Sequence, residues 1–102
     1  MKQITVQELK DRLDKGEVVQ LVDVREDHER ADFNIGGIHH KLGLIQTMDT
    51  DAIDNLKDEE VVIYCRSGNR SGQAALLLET MGFTNVVNLS GGMLAWQDKF
   101  SN

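Results

Sequence analysis

One cysteine in 102 residues, Cys65, is followed within five positions by Gly68 and two arginines, Arg66 and Arg70, in the segment CRSGNR. A thiol acts as a nucleophile only as its thiolate, and a free thiol with a pKa of ~8.5 is only about 3% ionised at pH 7. Lowering that pKa by about two units requires about 2.7 kcal/mol. A helix N-terminus contributes roughly 0.5–2 kcal/mol of this, which leaves a share for loop amides or for at least one arginine. Gly68 permits backbone torsions closed to other residues, so that successive N–H groups can converge on one anion. Ser67, Asn69 and Ser71 can donate to that anion, or can satisfy loop carbonyls and cap the following helix. Between Val61 and Leu78 the two arginines are the only charged residues, so the segment is locally cationic.

The flanking residues say how such a loop is held. Residues 61–64, VVIY, form a short apolar run without alternation, as expected of a strand buried on both faces. From Ser71 the sequence QAALLLETMGF carries apolar residues at helical density up to Gly82, which suits the left-handed cap of a helix end. CRSGNR therefore bridges a strand's carboxyl end and a helix. Upstream, residues 2–4 suit a short edge strand. Thr5 and Glu8 form a capping box that opens a helix with Val6, Leu9 and Leu13 on one face, ending at Gly16. Residues 18–24 suit a second strand with Asp23 near its carboxyl end, and 26–32 a short solvated helix. A glycine turn at 34–37 leads to a brief strand at 38–42, with short helices at 44–48 and 51–57. Residues 85–89 form the last strand and 92–100 the closing helix. This alternation predicts an α/β fold, a parallel sheet covered on both faces, with ligands received at the strands' carboxyl ends.

CRSGNRSG after a VVIY strand resembles the active-site loop of the rhodanese family, sulfurtransferases that carry sulfane sulfur as a cysteine persulfide. LVDVRE at 21–26 resembles the family's first strand and turn, and GGMLAW at 91–96 its C-terminal signature, so the resemblance covers nearly the whole chain. It is similar to the single-domain bacterial thiosulfate sulfurtransferases, which implies one rhodanese domain over residues 1–102 and a five-stranded, mainly parallel sheet with helices on both faces. The resemblance further implies Cys65 as nucleophile, and Arg66, Ser67, Gly68, Asn69 and Arg70 around the sulfur donor. Asp23 and Arg25 would tie neighbouring loops together, with Ser71 structural beside the site. The implied cycle needs no metal and no organic cofactor. Its partners are a small sulfur-containing anion or persulfide donor and a thiol or cyanide acceptor, with a protein acceptor as an alternative. Where members often carry His-Ile-Pro-Gly-Ala, this chain has Phe33-Asn34-Ile35-Gly36-Gly37, a glycine-rich turn in place of a stiff one.

Rival chemistries weigh less. Cysteine phosphatases cradle phosphate in Cys-x5-Arg, whereas Cys65 to Arg70 is Cys-x4-Arg; the smaller ring suits a sulfur atom, and the family divides in the same way. Gly68-x-x-x-Gly72 lacks the Lys-Ser/Thr of a nucleotide loop. Adjacent His39 and His40 in a strand point to opposite faces, and with His28 are expected on the surface rather than on a metal. A non-catalytic binding domain is the remaining class, and an intact Cys65 argues against it. With 17 acidic against 11 basic residues and a net charge of −6, the chain is ill suited to nucleic acid or an anionic membrane. A single cysteine excludes an internal disulfide, and the absence of a leader pattern or a ~20-residue apolar stretch leads to the expectation of a cytoplasmic protein.

Overall fold

The computed structural model describes residues 1–100. Its elements, in chain order, are β1 (Lys2–Ile4), α1 (Val6–Asp14), β2 (Gln20–Asp23), α2 (Asp27–Asp32), β3 (Ile38–His39) and α3 (Leu42–Gln46). A 3-10 helix (Asp51–Leu56), β4 (Glu60–Tyr64), α4 (Asn69–Thr80), β5 (Asn85–Leu89) and α5 (Gly92–Phe100) complete the chain. The five strands lie in the order β1-β5-β4-β2-β3, and every pairing is parallel. Parallel strands need crossovers, and the helices between them supply both covering layers.

β4 is the central strand, with Val62 opposite Leu21 of β2 on one side and Val87 of β5 on the other. Its side chains alternate between two cores. Val61, Ile63 and the following Cys65 pack with Ile45 of α3, Ile53 and Leu56 of the 3-10 helix, and Ala74, Ala75 and Leu78 of α4. Val62 and Tyr64 pack with Val6 and Leu9 of α1 and Met93 and Trp96 of α5. Each fully buried valine, leucine or isoleucine contributes about 1.5–3 kcal/mol, so the strand that delivers Cys65 is the most firmly seated part of the sheet. The capping box is formed: Glu8 N–H donates to Thr5 Oγ1 (3.1 Å), and Thr5 N–H to Glu8 Oε1 (2.9 Å).

The structure differs from the sequence-based expectations mainly at element ends. The second strand begins at Gln20, because Val18 is 88% exposed and has no sheet neighbour to pack against. The third strand stops at His39, since α3 already starts at Leu42. Residues 51–56 wind as a 3-10 helix, the tighter form that suits a short connector. α4 begins at Asn69, two residues before the expected start, so Asn69 and Arg70 belong to its first turn. The histidines are not all on the surface. His40 is buried and donates its Nε2–H to the Asp49 carbonyl (2.7 Å), while half-buried His39 donates to the Arg25 carbonyl (2.7 Å).

Candidate active site

Cys65 directly follows β4, and its side chain is fully buried at the floor of the loop that leads into α4. Gly68 N–H donates to its Sγ at 3.1 Å, and the Ser71 hydroxyl lies 3.3 Å away. Gly68 has φ +103 and stands at the N-cap of α4, a left-handed conformation that bends the chain back over the sulfur. Burial pushes the Cys65 thiol up, but the Ser71 hydroxyl and the amides of Ser71, Gly68 and Ser67 outweigh it, and the net displacement is downward. The thiolate is stabilised here chiefly by neutral donors.

Neighbouring elements hold those donors in place. Met93 N–H donates to the Cys65 carbonyl (2.9 Å) and Leu94 N–H to the Arg66 carbonyl (2.9 Å), so the first turn of α5 draws both carbonyls to itself. A trans peptide points its N–H opposite to its C=O, so the pull on the Arg66 carbonyl turns the Ser67 amide toward the sulfur side of the loop. The Asn88 side chain acts likewise from β5, donating to the Gly68 carbonyl at 3.2 Å. Gly92, with φ +52, makes the approach of α5 feasible: a Cβ there would collide with the Cys65 carbonyl oxygen. Asn88 Oδ1 also faces the Ser71 hydroxyl at 2.5 Å, and its amide nitrogen reaches Gln3 Oε1 at 3.1 Å. Ser71 and Asn88 are buried, so this chain of hydrogen bonds satisfies groups that water does not reach.

The two loop arginines have different surroundings. Arg66 is exposed and lines a cavity of about 100 Å³ together with Arg25, Glu29, Asp32, Phe33 and the first turn of α5. Arg70 is spoken for: its two terminal nitrogens donate to the two oxygens of Glu29, each at 2.7 Å. The hydrogen bonds from Arg70 hold the Glu29 carboxyl down at about 2. Glu29 Oε1 also accepts from the Glu26 N–H, so the same carboxylate closes the first turn of α2. On its other side Arg70 lines a groove of about 520 Å³ with Lys41, Leu42 and Leu44. The expectation of a locally cationic loop is thereby amended, since the fold brings a carboxylate from 41 residues away onto one of its two charges.

Asp23 and Arg25 form a buried, two-pronged ion pair (both N–O distances 2.9 Å). Arg25 also donates to the Phe33 carbonyl (2.6 Å), and Arg30 to the Gly37 carbonyl (2.8 Å). The Tyr64 hydroxyl donates to the Gly36 carbonyl at 2.7 Å, and burial together with the Asp23 charge pushes this phenol up to about 12. These bonds fasten the glycine-rich turn at 34–37 to the sheet, replacing the stiffness that a proline would supply. Asn69 and Ser67 are exposed. Sequence reasoning passed over Asn88, Glu29 and the backbone part taken by Gly92 to Leu94. A polar residue in the otherwise apolar strand VVNL was the one available signal for Asn88.

Comparison with known proteins agrees with this construction. A model of the rhodanese-like domain matches residues 5–99. The chain is 40% identical to the Bacillus subtilis protein YtwF, provisionally named a sulfurtransferase, over 95% of this chain and 91% of that one. It is 41% identical to a sulfurtransferase of Allochromatium vinosum, covering 92% and 86% of the two chains. Among solved structures, a rhodanese-like domain protein from Staphylococcus aureus superimposes with a TM-score of 0.80 at 37% identity, covering 94% of this chain and 91% of the other. Five parallel strands, a cysteine loop at the end of the central one and relatives matched along almost their full length lead to one assignment: the chain belongs to the rhodanese-like family of sulfurtransferases.

Proposed function

We propose that this protein transfers sulfane sulfur through a persulfide on Cys65. The Cys65 thiolate attacks the outer sulfur of thiosulfate or of a persulfide donor. A new S–S bond forms as the old one breaks, and the electron pair departs with sulfite or with the donor thiolate. The terminal sulfur of Cys65–S–S⁻ then leaves to a thiophilic acceptor, which is cyanide in an assay and a thiol, free or on a protein, in the cell. Ser67, Gly68 and Ser71 supply the donors that hold the anion, Asn69 completes the turn, and Arg66 and Arg70 act on the incoming donor. Asp23 and Arg25 keep the scaffold in register. Neither a metal nor an organic cofactor enters the cycle. With Cys65 the only cysteine, no internal thiol can resolve the persulfide, so the sulfur must go to an external acceptor. A cytoplasmic setting, where thiols stay reduced, suits this chemistry.

The observation that carries this reading is the donor set around Sγ at the carboxyl end of the central strand: the Gly68 amide at 3.1 Å, and at 3.3 Å the Ser71 hydroxyl, whose single proton is divided between Sγ and Asn88 Oδ1. Intact-mass spectrometry after incubation with thiosulfate tests it. The expected result is a gain of ~32 Da that cyanide reverses and that Cys65→Ser lacks. No adduct from thiosulfate or from any persulfide donor would overturn the reading.

A further inference from the structure

The charges around the mouth of the loop are nearly cancelled. The small cavity that Arg66 of the loop opens onto is lined by two arginines, Arg25 and Arg66, and two carboxylates, Glu29 and Asp32. Arg25 is further committed to Asp23, and Arg70 to Glu29 in a two-pronged pair with 2.7 Å arms. Glu29 lines the small cavity and Arg70 the larger groove, so their pair forms the partition between the two openings that flank the loop. Arg66 is therefore the loop's one cation without a carboxylate partner among the described residues. A doubly charged donor gains from a net cationic mouth twice what a singly charged one gains, and loses twice as much when that charge is cancelled.

We propose that Glu29 is a specificity-determining residue for the sulfur donor. By engaging Arg70 across the active-site loop, it keeps the mouth close to charge-neutral and so disfavours dianionic donors such as thiosulfate relative to sulfane donors that carry a single negative charge. This rests on the persulfide reading of Cys65 and narrows its donor class. The two kinds of donor undergo the same step. With a thiosulfonate, RSO2S⁻, the Cys65 thiolate takes the outer sulfur, the S–S bond breaks and the sulfinate RSO2⁻ leaves with the electron pair, so total charge is conserved. With thiosulfate, sulfite leaves in the same way. Only the charge of the approaching donor differs.

The test compares thiosulfate with methanethiosulfonate, which bears one charge less, using cyanide as acceptor. Glu29→Gln keeps the shape and the capping contact of α2 while removing the charge. At low salt it is expected to raise kcat/KM about tenfold for thiosulfate and about threefold for methanethiosulfonate, so that the ratio of the two rises about threefold. About 0.5 M salt should erase most of that change, because the Debye length then falls below the separation of the charges. Arg70→Gln, which leaves the Glu29 carboxylate uncompensated, should move the ratio the other way by a similar factor. The double variant Glu29→Gln, Arg70→Gln, which restores the net charge, should return it to the wild-type value. A purely structural defect would slow both donors alike and would not respond to salt. A ratio that stays constant across the three variants, or that shifts without regard to salt, overturns the charge filter while leaving persulfide formation intact. Wild-type protein that forms no persulfide with either donor overturns both.

Discussion

The floor and the rim of the Cys65 loop are built from different materials. The floor is neutral: backbone amides and the Ser71 hydroxyl meet the sulfur, held from behind by Asn88 and by the first turn of α5. The rim is ionic, with Arg25, Arg66 and Arg70 interleaved with Glu29 and Asp32. Fixed dipoles in a water-excluded pocket stabilise an anion without needing counter-charges, and in the proposed transfer they need not rearrange when the negative charge moves from Sγ to an outer sulfur. Charges at the rim act over longer distances and are screened by salt, so in the proposed cycle they bear more on the choice of donor than on the reactivity of the thiol. On the proposed reading, nucleophile activation and donor choice thus fall to separate sets of residues.

The harshest way to break this division is at the support of the floor. Gly92→Ala places a Cβ against the Cys65 and Arg66 carbonyls in a left-handed conformation. The loop must shift, at a cost of about 2 kcal/mol or more in stability. Displacement of the donors by an ångström should lower sulfur transfer about 100-fold. Thermal melts and single-turnover persulfide formation would measure both, and a variant with wild-type rate would show that α5 does not set the loop.

Ser71→Ala removes one donor from the floor. A hydrogen bond to a charged group is worth about 1.5–3 kcal/mol, and this one shares its proton with Asn88 Oδ1, so the transfer rate at pH 6.5 should fall about threefold to tenfold, equally for all donors. The pH profile of Cys65 alkylation should move up toward the value of a free thiol. The sign follows from linkage. The folded thiol ionises below the ordinary ~8.5, so unfolding takes up a proton in that interval and stability rises with pH until ~8.5. In Ser71→Ala that rise should be smaller. An unchanged alkylation profile would mean that the amides alone suffice.

The mildest change is at the rim. Arg66→Gln should leave the alkylation profile in place and raise KM about threefold for thiosulfate, with less effect on a singly charged donor, since an exposed charge acts through solvent. A shift of the thiol's profile as large as that in Ser71→Ala would erase the distinction between floor and rim.

Much of this was legible in the linear chain. The run VVIY before Cys65 has no polar face, which marks a strand covered on both sides, and Gly68 then has the torsional freedom that a loop wrapped around an anion requires. The box of Thr5 and Glu8 and the helix after Ser71 were likewise local, encoded within a few residues of where they act. Glu29 was not legible, because nothing in the solvated helix 26–32 distinguishes it from its acidic neighbours until α2 is set beside the loop. Asn88 carried only the faint signal of polarity in an apolar strand, and His40 looked like a surface residue until the fold buried it against the Asp49 carbonyl. The reach of a few residues that each cap, turn and apolar run has is what a sequence displays directly.

By itself, then, the sequence determined the candidate nucleophile, the strand that carries it and the glycine that bends the chain around it, because these depend on neighbours in the chain. The tertiary structure decided how much charge surrounds that nucleophile and which carbonyls are drawn away from it. Those follow from the packing of α2, β5 and α5 around β4, and electrostatics depends on distance in space rather than on separation along the chain.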